Sequence, residues 1–440
     1  MDPQSQTNIR RRTQLLSERV TPKLLRKSAA SKSCCIFRVP QSYTQLNPKA
    51  YEPKVVSIGP YHRGKGHLQM IQEHKHRFLE VFASTAQESW GVTLQDLIDS
   101  VSDLEEDIRD SYSEDLSGFN RENLIDLMVL DGCFILTLFL VVARILDKLE
   151  FDDDPIFKTP WIRVSIQNDL LLVENQIPFF VLQTLSATSK LVTSEGLTEI
   201  AFVFFKYAIY ELLEFWPNHQ TLKPKHLLDL IRLSFIPIPT QAPTSRRTRP
   251  IIASVLSAKQ LQRPGMDIKR RLNPNGLLDI RLEDGVLQIP RIAANDFFIS
   301  ILLNFVVFEQ VYAHTSEHIT SYVIFLRSLI IEEDDETLLK QRFILSNYLI
   351  TGDGISRFMK SISQDIRLNI EECYLFTVFE EVTKYTFFQR RAKWAKFKHD
   401  YLQGPWFSLS VILLVLTTVQ TVFTVLAFFI DGKKANKGQV

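Results

Sequence analysis

The sequence has few cysteines and few glycines, and it has no internal repeat. Its four cysteines are an adjacent pair, Cys34 and Cys35, and two isolated residues, Cys133 and Cys373. This spacing fits neither a zinc site nor a disulfide framework, so we expect a reducing compartment. With 15 Gly and 19 Pro in 440 residues, the chain is not predicted to be a linker or a fibre. The missing repeat argues against solenoids and propellers.

The composition is that of a folded globular protein, but the charges are unevenly distributed. Hydrophobic residues make up 45% of the chain and charged residues 23%. Residues 1–40 and 384–440 each carry 9 Lys/Arg and 2 Asp/Glu, whereas residues 41–383 carry 33 and 46, so an acidic body lies between two basic ends. Basic ends can bind nucleic acid or anionic lipid. We expect no nucleic-acid binding, because the leading arm lacks interleaved aromatic residues.

One long apolar run lies near the end of the sequence. The 25 residues from Trp406 to Ile430 carry no formal charge, and Gln420 is the most polar of them. As a helix they would extend about 37 Å, against about 30 Å for the hydrocarbon core of a bilayer. Trp406 would then lie at the interface, where aromatic residues are common. The run predicts a single transmembrane anchor over 404–430 with a short tail over 431–440; a buried core helix is the alternative.

The flanking charges predict the orientation of this anchor. The first 20 residues lack the apolar stretch of a signal peptide, so we expect the body to stay in the cytosol. More Lys and Arg precede the anchor than follow it, which favours the same orientation. We expect contact with anionic lipid near five basic residues, namely Arg390, Arg391, Lys393, Lys396 and Lys398.

The rest of the chain is predicted to be mainly α. A flexible basic arm is expected over 1–35 and a helical body over 36–403, with an exposed Pro-rich loop over 237–250. Hydrophobic periodicity predicts helices over 68–82, 123–146, 168–185, 198–215, 225–233, 296–312, 321–330, 336–348 and 371–401. The apolar run over 133–143 is too short to cross a bilayer and predicts a core helix. The Asp-Gly pair between 277–282 and 286–292 predicts one small β-hairpin.

Two strings suggest a binding site, and both are incomplete. Residues 59–66 (GPYHRGKG) nearly match the phosphate loop G-x-x-x-x-G-K-[ST], but Gly66 has no hydroxyl for magnesium and Pro60 has no backbone donor. We therefore predict a structural turn and no nucleotide cofactor. His314 and His318 have a spacing that can hold a metal, with Glu317 beside them, but a clear third ligand is missing and a solvated helix end is expected.

The remaining candidates are a histidine cluster and two acidic groups. His62, His67, His74 and His76 lie close together in sequence without an H-E-x-x-H motif, and we predict polar surface rather than a metal site. The acidic groups within 103–110 and 332–336 lack the alternation and glycine of a calcium loop and are predicted to be solvated. No nucleophile elbow occurs, so no catalytic residue is predicted.

Two carboxylates stand within apolar surroundings. Asp131 and Glu174 lie in runs too apolar for the surface, and we predict that both are buried and hydrogen-bonded to neighbouring backbone or polar groups. Buried carboxylates are also candidates for catalysis. A non-enzymatic, membrane-tethered interaction or signalling protein with an unknown protein partner is therefore the leading hypothesis, and an enzyme with an unrecognised site near these two residues is the alternative.

Several ordered strings resemble a known plant family, the domain of unknown function 247, also called uncharacterised protein family 0481. The strings are 51–62 (YEPKVVSIGPYH), 128–136 (MVLDGCFIL), 169–180 (DLLLVENQIPFF), 226–230 (HLLDL) and 308–310 (FEQ), with further blocks up to the apolar run. The resemblance implies a large helical body with one C-terminal span, at the plasma membrane, and no established reaction. Some grass members are associated with pollen recognition in self-incompatibility, and such a role does not transfer with the fold.

Overall fold

The computed structural model describes residues 33–45, 47–146, 151, 153–209, 222–237, 257–347, 355, 359, 366–370, 373–398 and 405–435. The predicted flexible arm lies outside them except at its end, where Cys34 and Cys35 are buried. The Cys35 amide donates to the Ser111 carbonyl at 2.9 Å, so ordered structure already includes these cysteines. The predicted Pro-rich loop lies outside the described residues after Pro237.

The described residues are mainly helical, as predicted. The helices are α1 (Gln41–Thr44), α2 (Gln69–Trp90), α3 (Leu94–Ser102), α4 (Glu105–Asp110), α5 (Arg121–Val142), α6 (Pro155–Lys158), α7 (Pro160–Asp169), α8 (Phe179–Ser189), α9 (Ser194–Ile209), α10 (Leu227–Phe235), α11 (Ala258–Gln262), α12 (Asp296–Val311), α13 (His318–Leu329), α14 (Glu333–Gln341), α15 (Phe376–Phe397) and α16 (Pro405–Ala435). The strands are β1 (Asp267–Arg270), β2 (Arg281–Glu283), β3 (Val286–Ile289), β4 (Ile292–Ala294) and β5 (Leu345–Asn347).

Helix α5 forms the centre of the body. It begins after Asn120, whose side chain accepts a hydrogen bond from the Asn123 amide, and it is apolar on nearly every face. A helix of this composition must be surrounded by other apolar surface. Helices α2, α3, α8 and α9 supply that surface, and 89% of the apolar window of α5 is buried. The predicted core helix is therefore confirmed.

Helix α2 packs one face against α5. Its buried side chains include Ile71, Lys75, Phe78 and Phe82, which follow one another at steps of three and four residues. The helix ends at Gly91, whose φ of 68° gives the left-handed cap that glycine adopts without strain. The predicted helix over 68–82 is confirmed in position but was too short by about two turns.

The predicted continuous helix over 168–185 is wrong. Helix α7 ends at Asp169 and α8 begins at Phe179, with irregular backbone between them. Pro178 precedes α8, and proline both lacks a backbone donor and restricts the residue before it. The polar side chains of the intervening residues also bond to backbone groups, which competes with helix formation.

The predicted hairpin is present, but it belongs to a larger sheet. Strands β2 and β3 are antiparallel across a turn at Asp284 and Gly285, which have φ values of 50° and 76°. Strand β1 pairs with β3 in parallel, and β4 and β5 form a separate parallel pair. The expectation of one hairpin is therefore corrected to a three-stranded sheet and a two-stranded sheet. Sequence-local patterns cannot reveal a parallel partner that is distant along the chain.

The predicted helix over 336–348 is also corrected. Helix α14 ends at Gln341, and Phe343 then adopts a φ of 56° before the chain enters β5. The Ile292 amide donates to the Ile344 carbonyl at 2.7 Å, next to the β4–β5 pairing. Tertiary pairing thus overrides the helical periodicity of this segment.

The last two described helices differ in their environment. Helix α15 packs on the three-stranded sheet, where a Cβ on Gly285 would lie 2.7 Å from the Tyr385 ring. Helix α16 is long and apolar, and none of the window Leu409–Ala427 is buried. The body therefore covers α15 in part and leaves the apolar side chains of the window Leu409–Ala427 exposed.

Candidate functional site

The family-like strings meet around residues 51–62, which we call the extended segment. This segment lies between two short 3-10 helices and forms no strand pairing. Asp169, at the end of α7, accepts hydrogen bonds from three of its amides, those of Lys54, Val55 and Val56, at 2.7–3.0 Å. Burial raises the pKa of Asp169 to about 6, and these amides act in the opposite direction. Asp169 thus replaces the backbone acceptors that a sheet would provide.

Asn175 completes this arrangement from the irregular stretch between α7 and α8. Its side-chain oxygen accepts from the Ile58 amide at 2.7 Å. Its amide nitrogen donates to the carbonyls of Val56 and Asp169 at 3.0 and 2.9 Å. The side chain of Asn175 is completely buried, and each of these bonds satisfies a backbone group that would otherwise cost free energy.

Asp131 holds the next turn of the extended segment from the middle of α5. One carboxylate oxygen accepts from the Gly59 amide at 2.8 Å, and the other lies 2.5 Å from Lys75 Nζ of α2. The Lys75 ammonium also donates to the Ser57 carbonyl. Burial raises the pKa of Asp131, whereas Lys75 and the Gly59 amide favour its charged form. Three distant parts of the chain therefore meet at one buried ion pair.

Gly59 is required by this geometry. Its φ is 71°, and a Cβ at this position would lie 2.4 Å from the Gln176 carbonyl oxygen. The amide that a phosphate loop would offer to a nucleotide is donated to Asp131 instead. The last cation of the phosphate-loop-like string, Lys65, lies 3.5 Å from Glu52. The loop thus has the contacts of the predicted structural turn.

Glu174 lies closer to the surface and joins the N-terminal end of the body. It accepts from the Val39 amide at 2.7 Å and from Arg38 Nη1 at 2.9 Å, and His62 Nε2 lies 3.2 Å away. Burial alone would raise the pKa of Glu174, but His62, the Val39 amide and Arg38 together lower it. The predicted burial and pairing of Asp131 and Glu174 are confirmed, although Glu174 lies in a turn and not in a helix.

A second buried network joins α10, α12 and α13. Arg232 donates to Asp229 at 2.9 Å and to Glu309 at 3.2 Å. Glu309 also accepts from the amide and the hydroxyl of Thr320, both at 2.7 Å. Burial raises the pKa of Glu309, and Arg232 acts in the opposite direction. This network ties three helices together with charged groups that are each compensated.

His226 is the N-cap residue of α10 and connects the network around Arg232 to Cys35. Its Nδ1 accepts from the Asp229 amide at 3.2 Å, so Nε2 carries the proton and donates to the Cys35 carbonyl at 3.2 Å. Burial lowers the pKa of His226 to about 4, so the ring is neutral at physiological pH. This histidine is a helix cap and a structural link.

The histidines and acidic residues that the sequence offered as candidates differ in their burial. His62 is buried, which corrects its assignment to a polar surface, whereas His67 and His76 are exposed. His318 stacks on Tyr374 with ring centroids 5.1 Å apart. Asp335 is buried and accepts from the Lys259 amide at 2.9 Å. The prediction that the acidic group within 332–336 is solvated is therefore wrong for this residue. Within the described parts of the chain, no three His, Cys, Asp or Glu side chains converge as a metal site would require.

The buried polar groups around Asp131 and around Arg232 form hydrogen bonds mainly with other groups of the protein. A small crevice is lined by apolar side chains, among them Phe298, Leu302 and Leu326, and by neither Asp131 nor Glu174. Enzyme sites usually combine a cavity with convergent polar groups. The Asp131 carboxylate instead accepts hydrogen bonds from the Gly59 amide and the Lys75 ammonium. This arrangement stabilises the fold.

The structure describes the side chains of only some of the residues that are predicted to contact the membrane. Gln420 is exposed on α16 and its carbonyl accepts from the Thr424 hydroxyl, whereas Trp406 and Ile430 are described only as backbone of α16. Of the basic residues predicted to contact lipid, four are exposed on or just after α15, namely Arg391, Lys393, Lys396 and Lys398. The side chain of Arg390 lies outside the described ones.

Sequence reasoning missed several members of the networks. Lys75 carried a signal, because it stands between Ile71 and Phe78 on the apolar face of α2, where a charge needs a buried partner. Arg232 follows Asp229 by three residues, a spacing that permits an ion pair on one helix face. Asn175 carried no such signal, since its partners are backbone groups.

The sequence pattern of one plant family matches residues 36–420, and its members are described as plant proteins of unknown function. The chain belongs to this DUF247 family. It is 42% identical to "UPF0481 protein At3g47200" of Arabidopsis thaliana over 96% of this chain and 92% of that protein. It is also 29% identical to "Putative UPF0481 protein At3g02645" of the same plant, over 34% of this chain and 26% of that protein. No solved structure matches it significantly.

The DUF247 match includes both networks. All of the extended segment, Asp131, Asp169 and Glu174 lie within the matched residues, and so do Arg232 and Glu309. In this DUF247 chain, the strings that carry the family resemblance are the ones that hold the extended segment against α5 and α7. In this chain, these strings therefore supply contacts that hold the fold together.

Proposed function

We propose that this DUF247 protein is a single-pass membrane protein whose cytosolic body binds a protein partner and catalyses no reaction. The observation that carries the proposal is the exposure of α16. None of the window Leu409–Ala427 is buried, and this window contains Leu, Ile, Val and Phe side chains along its length. Exposed apolar surface costs about 25 cal/mol per Å² in water, and a bilayer removes that cost.

The comparison with α5 supports this assignment. Both helices are long and apolar enough to cross a membrane, but α5 is covered by the body whereas the window of α16 is not. The two helices therefore need different solvents, and the hydrocarbon core is the one that suits α16. The charges flanking α16 favour a cytosolic body, and the family resemblance favours the plasma membrane.

The non-catalytic role is supported by the partners of the buried charges. Lys75 is paired with Asp131, and Arg232 is paired with Asp229 and Glu309. A general acid or base must reach the proton that it transfers in a substrate. These groups are already ion-paired with each other inside the body. The surface of the acidic body is available to a protein partner.

Membrane insertion is tested on the full-length protein with a charged pair in the anchor. Leu416→Asp with Val419→Asp places two carboxylates near the centre of the run, each at a cost of roughly 2.5–3.5 kcal/mol. We expect the parent protein to resist alkaline extraction of membranes and the charged variant to be released. Leu416→Ile with Val419→Leu is the matched control and should remain in the membrane. Release of the parent protein would refute the anchor.

Orientation is tested separately with an epitope before residue 36. Protease added to intact protoplasts should spare this epitope, because the body is proposed to face the cytosol. Detergent should expose it to digestion. Digestion without detergent would show that the body faces outward.

A further inference from the structure

The outer face of α15 carries alternating aromatic and basic side chains near its end. Phe387, Arg391, Trp394 and Lys398 follow at steps of four, three and four residues, so they form one stripe, which we call the aromatic–basic stripe. Phe387 is 53% and Trp394 62% exposed, and both cations are exposed. The Arg391 guanidinium carbon lies 5.0 Å from the centre of the Phe387 ring, as neighbours on one face should.

The opposite face of α15 is turned to the body. Val378 and Val382 are buried, and the Tyr385 hydroxyl donates to the Gly265 carbonyl at 3.3 Å. Lys393 Nζ donates to the Arg263 carbonyl at 2.6 Å. The structure thus separates cations that are adjacent in sequence, because Lys393 contacts the body whereas Arg391 and Lys398 lie on the stripe.

We propose that the aromatic–basic stripe lies in the headgroup layer of an anionic membrane, with both rings among the headgroups and both cations on lipid phosphates. No Asp or Glu occurs between residues 382 and 399, so nothing in this stretch opposes anionic lipid. Tryptophan and phenylalanine prefer the membrane interface, and Lys and Arg near it are attracted by anionic lipid. The anchor helix α16 begins at Pro405, only seven residues after Lys398. This inference rests on the proposed anchor and adds the face by which the body contacts the lipid.

The size of the stripe favours lipid over an acidic protein. Four side chains spaced over twelve residues offer little area, since an aromatic side chain buries about 150–250 Å². A stable protein interface needs about 800 Å² on each partner. A bilayer that already holds the neighbouring helix requires no such area, because the anchor keeps the stripe at the surface.

The depth of the stripe can be measured in full-length protein with a polarity-sensitive label. The native cysteines Cys34, Cys35, Cys133 and Cys373 are all buried, so an introduced exposed cysteine is labelled selectively. Trp394→Cys places the label on the stripe, and Glu381→Cys places it on an exposed position of the same helix nearer the body. Each protein is reconstituted into nanodiscs of phosphatidylcholine alone or with added phosphatidylserine.

We expect the Trp394→Cys label to shift to an apolar signal in discs with phosphatidylserine and the Glu381→Cys label to remain aqueous. Arg391→Glu with Lys398→Glu should abolish the shift, whereas Arg391→Lys should retain it. Removal of either cation, Arg391 or Lys398, should weaken the binding of the stripe to anionic lipid about fivefold. An aqueous Trp394→Cys label in inserted protein would overturn the inference and leave an acidic protein as the candidate occupant.

Failure of the anchor is recognised independently of the stripe. A protein that does not insert fails to copurify with the discs, whatever their composition. A protein that inserts but shows an equal label signal at both positions retains the anchor and refutes the stripe. Unreactive native cysteines in each variant show that the body is folded, because all four are buried.

Discussion

Lys75 Nζ lies 2.5 Å from Asp131 Oδ1, and both side chains are almost completely buried. The ion pair joins α2 to α5, and its remaining bonds reach Ser57 and Gly59 in the extended segment. A charge at this depth is tolerated only if it is paired and hydrogen-bonded. The pair is therefore a sensitive point of the fold, and it supplies the first prediction.

Removal of one partner of this pair should destabilise the body strongly. Asp131→Ala and Lys75→Met should each reduce the free energy of unfolding by about 3–5 kcal/mol, because each leaves an uncompensated buried charge. The double variant should lose less than the sum of the two. Urea unfolding of the full-length protein in mild detergent measures this, and additive losses would show that the two groups do not interact.

Gly59→Ala should be more damaging than Gly64→Ala. Both glycines have positive φ, 71° and 83°, so alanine is strained at either position, by about 1–2 kcal/mol. Only at Gly59 would the new Cβ also collide with the Gln176 carbonyl, whereas nothing lies within 4 Å at Gly64. We expect an additional loss of about 1–3 kcal/mol at Gly59. Equal midpoints in urea would contradict the close approach.

Stability should depend on pH through His226. Burial lowers its pKa from the ordinary 6.5 to about 4, so the unfolded chain binds a proton between these values and the folded body does not. The contribution is present above pH 6.5 and is lost as the pH falls towards 4. This difference corresponds to about 3 kcal/mol.

The comparison of variants isolates this effect, because Asp169 titrates in the same range with the opposite sign. His226→Asn retains a side-chain acceptor for the Asp229 amide and should remove the His226 part of the pH dependence. His76→Asn, on the exposed face of α2, should leave it unchanged. Unfolding free energies measured from pH 7 to pH 4 decide this, and parallel curves for all three proteins would place His226 at the surface.

The two long apolar helices should respond differently to the same substitution. Leu138→Asp buries an unpaired carboxylate within α5, where Leu138 is fully buried, and should prevent folding of the body. Leu416→Asp in α16 should leave the body folded and weaken membrane insertion. Reactivity of the native cysteines reports folding, and alkaline extraction reports insertion. Intact folding of Leu138→Asp would show that α5 is not the core.

Sequence patterns predicted the helices with a clear amphipathic or apolar period, such as α2, α5 and α12. They also predicted the burial of Asp131 and Glu174, because a charge among apolar residues must be paired wherever the chain places it. They failed between α7 and α8, where the side chains of Asp169 and Asn175 hold backbone groups of the extended segment. They also failed at β5, where pairing with β4 overrides a helical period.

The sequence by itself determined that α16 is apolar and uncharged over a length that suits a bilayer, because length and composition are local properties. It also determined that a basic stretch precedes this helix. Only the tertiary structure decided that Lys75 is the partner of Asp131, 56 residues away, and that Arg391 and Lys393 point to different surroundings. Such choices depend on which distant segments meet when the core is packed, and side-chain periodicity carries no information about those meetings.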